Sequence, residues 1–113
     1  MIVIYHNPNC SKSQACVNFM ETSKHDFSVV KYMDEALSVE KMKKILNLLK
    51  FTPMELVRQN EKLWQTDYAN KNLTDIEIIT AMLKHPQLME RPIVINGDKA
   101  IIGRPPERVL DIL

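Results

Sequence analysis

A short apolar run, Ile2-Val3-Ile4-Tyr5, breaks at His6-Asn7-Pro8-Asn9, and Cys10 follows directly. The run is apolar enough to be a buried strand, and Pro8 removes a backbone donor from the turn after it. From there Ala15, Cys16, Phe19 and Met20 recur at helical spacing, and residues 27–32 form a second strand candidate. Strand, helix and strand within about thirty residues make a βαβ unit, which favours a parallel pair joined by a right-handed crossover. This opening constrains the fold more than any other segment, because it sets a cysteine at a strand-to-helix turn.

The middle of the chain reads as helical. Ser38 is a candidate N-cap, followed by Val39, Met42, Ile45, Leu46 and Leu49 on one face. Pro53 opens a short helix running to Val57. Thr74 and Glu77 form a capping box ahead of Ile79, Met82 and Leu83, and Pro86 ends that helix. Residues 61–73 carry no clear periodicity. Near the end, Ile93-Val94-Ile95 and Ala100-Ile101-Ile102 flank Asn96-Gly97, a hairpin signal, and Gly103-Arg104-Pro105-Pro106 leads into a last helix. The expected architecture is α/β: β-α-β, a helical insertion, then β-β-α, with a mixed central sheet.

At 113 residues the chain is expected to form a single domain, residues 1–113. A net charge of +1 supplies no broad basic field, so nucleic acid is not an expected partner. No apolar run reaches the eighteen residues of a membrane span, and none is expected to engage a membrane. Cys10 and Cys16, placed on one helix, would be about 9 Å apart in rise, beyond the about 7 Å that a disulfide tolerates. Two unpaired cysteines and no basic, apolar leader point to a reducing, cytoplasmic location. A monomer is expected from size and composition.

Cys10 faces the free N–H groups that begin a helix, where ligands and reactive groups collect in βαβ folds. An ordinary thiol is only about 3% ionised at pH 7, and each unit of pKa lowering takes about 1.36 kcal/mol. A helix N-terminus supplies about 0.3–1 kcal/mol and at best about 2. Hydrogen bonds from Ser11 or Ser13 and a nearby cation must therefore add to it. His6 either tunes Cys10 or orients a neighbour in the loop, against the plain alternative of a histidine satisfied by local backbone. Cys16, in phase with Phe19 and Met20, reads as core. No metal-ligand spacing links His6, His25 or His85 to a cysteine.

Of the fifteen basic residues four are arginine: Arg58, Arg91, Arg104 and Arg108. Arg91 and Arg104 flank the hairpin, each before a proline, so both can reach one end of the sheet. A planar guanidinium grips a tetrahedral oxyanion through paired hydrogen bonds, which lysine cannot do. Arg108, beside Glu107, reads as solvated. A Cys-x5-Arg phosphatase loop would need arginine at Cys16, and a dithiol Cys-x-x-Cys would need cysteine at Ser13; both fail.

Four segments together, Tyr5-His6-Asn7-Pro8-Asn9-Cys10, Leu56-Val57-Arg58-Gln59-Asn60, Glu90-Arg91-Pro92-Ile93-Val94 and Gly103-Arg104-Pro105, resemble the glutaredoxin-linked arsenate reductase family. The similarity runs essentially end to end, and the last twenty-five or so residues look like a chromosomally encoded bacterial branch. The resemblance implies a thioredoxin-like fold with a helical insertion. It implies Cys10 as the nucleophile and Arg58, Arg91 and Arg104 as the residues that hold arsenate. Pro92 would correspond to the cis-proline of such folds. No bound metal or organic cofactor is implied; glutathione is the implied co-substrate and glutaredoxin the implied partner. Some family members have arginine four residues past the cysteine, where this chain has Gln14, so one cation is absent unless Lys12 replaces it.

Three other functions fit a similar chain. A transcriptional regulator of this fold binds RNA polymerase and senses oxidation through Cys-x-x-Cys, which Ser13 interrupts. A monothiol oxidoreductase acting on glutathione mixed disulfides would use Cys10-Ser11-Lys12-Ser13. Reduction of a different oxyanion would use the same groups.

Overall fold

Strand β1, Ile2–Tyr5, lies inside a four-stranded sheet of order β2-β1-β3-β4. Its immersion follows from its composition: Ile2, Ile4 and Tyr5 are all buried. Strand β2, Phe27–Val30, runs parallel to it, and β3, Ile93–Asn96, and β4, Lys99–Ile102, add antiparallel neighbours. The computed structural model describes residues 2–35 and 37–113, which fall into two compact units. The first unit holds the sheet and joins both ends of the chain, residues 2–35 and 91–113; the second is the insertion, residues 37–90.

In the first unit, helix α1, Ser11–Thr22, is the crossover between the parallel strands. It buries Cys16, Val17 and Met20 against Ile2, Ile4 and Val94, together with Val109 and Ile112 from a closing 3-10 helix, Pro106–Ile112. Each aliphatic side chain so buried contributes about 1.5–3 kcal/mol. Asn96 donates from Nδ2 to the Ile112 carbonyl at 2.6 Å, tying the closing segment to the hairpin.

The structure corrects four local expectations here. Ala15 is exposed and Ser13 is buried, because the Ser13 hydroxyl finds partners inside. Strand β2 stops at Val30, and Lys31 begins a turn. The hairpin turn is Gly97-Asp98, since Asn96 still pairs with Lys99; Gly97 takes φ +64°, where glycine carries no Cβ penalty. The last helix is 3-10, with Pro106 supplying no N–H at its start.

The second unit is helical. Helix α2, Val39–Leu49, is capped by Ser38 accepting from the Lys41 amide and buries Met42, Ile45, Leu46 and Leu49. Helix α3 is Pro53–Leu56, and α4, Lys62–Asp67, occupies the stretch that lacked periodicity. Helix α5, Asp75–Lys84, starts with the reciprocal Thr74–Glu77 box and packs against α2 and α3. A short antiparallel bridge joins Val57 to Met89, flanked by bonds from the Arg58 amide to Leu88 O and from the Glu90 amide to Leu56 O, both 2.7 Å. That bridge fixes the backbone carrying Arg58.

Candidate active site

The turn that presents Cys10 is held by its own polar groups. His6 extends the β1–β2 pairing through its amide to Val30 O at 2.8 Å. Asn7, which sequence reasoning passed over, then organises the loop. Its carbonyl accepts from the Cys10 amide at 3.1 Å, its Oδ1 accepts from the Asn9 amide at 3.0 Å, and its own amide donates to Ser13 Oγ at 3.0 Å. The available signal was Asn before Pro, an initiator of such turns. Ser13 Oγ also lies 2.6 Å from His6 Nδ1, and both side chains are buried, with Ser13 fully so. His6 and Ser13 thus brace the loop against the first turn of α1.

Cys10 is the N-cap of α1, in extended backbone conformation, with 8% of its surface exposed. Burial works against its ionisation. The Arg91 guanidinium, by hydrogen bonding and by charge, and the amides of Ser13 and Lys12 outweigh that penalty, so the thiol pKa is lowered. Arg91 supplies the cation that the helix N-terminus needed. Cys16 is the opposite case: fully enclosed, with no stabilising group, it is pushed up to about 11 by burial. Two cysteines six residues apart therefore differ in chemistry through what surrounds them. His6 is held below the ordinary histidine value by burial first, and then by the charge of Lys31.

Arg91 precedes Pro92 across a cis bond at the entry to β3, and Gly103 returns alongside, donating from its amide to Pro92 O at 2.9 Å. A Cβ on Gly103 would stand 2.8 Å from Cys16 Sγ and 3.4 Å from Pro92 Cγ, so the close approach requires glycine. Arg91 Nε is buried and has no hydrogen-bond partner among the described residues, so this donor is spare. Arg104 sits at the exit of β4, half-buried, also before a cis-proline. Ile93 pairs with Ile102, so the segments bearing Arg91 and Arg104 leave the same end of the hairpin. Arg58 belongs to the second unit, where its Nη1 lies 3.1 Å from Glu61 Oε2. Arg108 is exposed, as its neighbours suggested. Among the described residues no cluster of His, Cys, Asp and Glu could hold a metal ion, and no helix is long and apolar enough to cross a membrane.

A parallel β-α-β unit extended by an antiparallel hairpin, with Cys10 at the head of the first helix and a cis-proline before the third strand, defines a protein of thioredoxin-like fold with a thiol at its strand-to-helix turn. The model of the ArsC family matches residues 5–112, and the chain belongs to that family. It is 40% identical to the uncharacterized protein YfgD of Escherichia coli K12, over 99% of this chain and 96% of that one. It is 39% identical to an arsenate reductase of Haemophilus influenzae, over 99% and 98% of the two chains. A solved structure, the arsenate reductase from Vibrio cholerae, superposes with TM-score 0.92 at 38% identity, covering 99% of this chain and 97% of the other.

Proposed function

We propose that the protein is an oxidoreductase that reduces arsenate to arsenite, with Cys10 as the nucleophile. The observation that carries this reading is the pairing of the lowered Cys10 thiol with the Arg91 guanidinium, beside a family membership in which relatives are named arsenate reductases. The thiolate attacks arsenic, and an oxygen leaves as water, giving a Cys10–arsenate thioester. Glutathione attacks next; two electrons pass from the two sulfurs to arsenic, arsenite departs, and Cys10 is left in a mixed disulfide with glutathione. Glutaredoxin takes that glutathione and returns Cys10 to the thiol. The net electron donor is glutathione, and no bound cofactor is needed.

Arg91 has two tasks in this scheme. It holds the thiolate, and its spare Nε donor offers the oxyanion a hydrogen bond. Arg104 is a second anion ligand, supported by its place at the same end of the hairpin. Arg58 enters the proposal by resemblance of its Leu-Val-Arg-Gln-Asn segment alone. His6, Ser13 and Pro92 position the thiol and do not react. Position 13 carries serine, so the turn has no second thiol, and in this scheme the resolving sulfur comes from glutathione. We propose a cytoplasmic monomer acting as one domain, in keeping with a thiol that must stay reduced.

The test is a single-turnover experiment with arsenate and no thiol donor. The mass of the Cys10-containing peptide should rise by the thioester increment, change to that of the glutathione mixed disulfide on adding glutathione, and return to that of the thiol on adding glutaredoxin. An unmodified Cys10 in folded protein would reject the covalent step.

A further inference from the structure

A cleft lies wholly within the insertion, between the turn after α4 and the outer face of α5, with a volume of about 390 Å³. This is within the range of small-molecule sites. Its apolar lining comes from Tyr68, Leu73 and Ile76, and Ile76 is 47% exposed, one of the most exposed large apolar side chains of the described residues. The aromatic wall is built: Tyr68 stacks on Trp64 with ring centroids 5.5 Å apart, and His85 meets its edge at 6.3 Å.

The polar groups of the lining sort into committed and uncommitted. Glu77 Oε1 accepts from both the amide and the hydroxyl of Thr74, at 2.9 Å each, and Thr80 Oγ1 donates to Ile76 O at 2.7 Å. What remains is the Tyr68 hydroxyl, the second Glu77 oxygen and two cations. Lys71 Nζ stands 5.8 Å from the centre of the Tyr68 ring, and Lys84 ends α5; among the described residues neither is in an ion pair. An apolar, aromatic-walled cleft with two unpaired ammonium groups selects a flat apolar body that carries a negative charge. A neutral ligand would leave the lysines unused, and a fully hydrated anion would leave Ile76 and Leu73 against water.

We propose that this cleft is a binding site for a small aromatic carboxylate, with Tyr68, Leu73 and Ile76 contacting the ring and Lys71 and Lys84 the carboxylate. The proposal is independent of the chemistry at Cys10.

The test is titration of the full-length, isotope-labelled protein with 2-naphthoate, followed by amide and lysine NMR shifts. Saturable shifts confined to residues 68–84 are expected. Neutral 2-naphthalenemethanol and acetate should each bind more weakly. Lys71→Gln and Lys84→Gln should each raise the Kd about two- to fivefold, the size of an exposed ion pair. Both substitutions are on the surface, and unchanged spectra elsewhere would show the fold retained. Absence of saturable shifts, equal affinity for the neutral alcohol, or shifts located outside the cleft would each overturn the proposal.

Discussion

Ser13 Oγ lies 2.6 Å from His6 Nδ1, and the pair links the end of β1 to the first turn of α1 across the loop that presents Cys10. Because both groups are buried, removing Ser13 strands His6 Nδ1 and the Asn7 amide, whereas removing His6 leaves the Ser13 hydroxyl with the Asn7 amide alone. Ser13→Ala and His6→Ala should each lower unfolding free energy by about 1–3 kcal/mol. The double variant should cost less than the sum, since the second change removes the group the first left stranded. Denaturant titrations of the four proteins measure this coupling.

The same pair makes stability depend on pH. The native pKa of His6 is lowered, by burial and then by Lys31, so between that value and the ordinary 6.5 the unfolded chain binds more protons than the native one. His6 therefore contributes stability in full above pH 6.5, and the contribution is lost as pH falls below it through the native value. Midpoints of urea unfolding should fall from pH 7 towards acid in the wild type and fall less in His6→Gln over the same window.

Alkylation should separate the two cysteines. Cys10 has its thiolate favoured by Arg91, whereas the buried Cys16 thiol stays protonated far above neutral pH. Native protein at pH 7 should incorporate one iodoacetamide equivalent, at Cys10. Arg91→Ala should slow that reaction about tenfold, the effect of losing about 1.4 kcal/mol of thiolate stabilisation. Mass spectrometry of digests gives both rates.

Gly103 and Cys16 pack too closely for a methyl group. A Cβ at 103 would lie 2.8 Å from Cys16 Sγ and 3.2 Å from Val94 Cγ2. Gly103→Ala should destabilise by about 1–3 kcal/mol. Adding Cys16→Ala removes the sulfur and should restore part of the loss, so that the two changes are not additive in thermal or denaturant unfolding.

Much of this layout was legible in local pattern. Ile2-Val3-Ile4-Tyr5 is too apolar for any place but a buried strand, and Thr74 with Glu77 marks a helix start whose capping box forms as written. The arginine-proline steps at 91 and 104 pointed to one end of the hairpin, which the Ile93–Ile102 pairing bears out. Other features were hidden for physical reasons. Apolar spacing cannot reveal a serine buried by hydrogen bonds, so the pattern puts Ala15 inside and gives Ser13 only a bonding role. Asn96 resembled a turn residue but is spent on strand pairing and on the Ile112 carbonyl. Helix α4 has no side-chain cap, and its anchor is Trp64 stacked on Tyr68, a contact that periodicity does not encode. The approach of Arg91 to Cys10 joins opposite ends of the chain, and only the completed sheet brings them together.

In the proposed function Cys10 alone carries glutathione-linked arsenate reduction. The direct measurement is arsenate-dependent NADPH oxidation with glutathione, glutathione reductase and glutaredoxin, comparing wild type, Cys10→Ser and Cys16→Ser. Turnover should be present in wild type, absent in Cys10→Ser and retained in Cys16→Ser. Folded wild-type protein that fails to turn over arsenate, or a Cys10→Ser variant that still does, would contradict it.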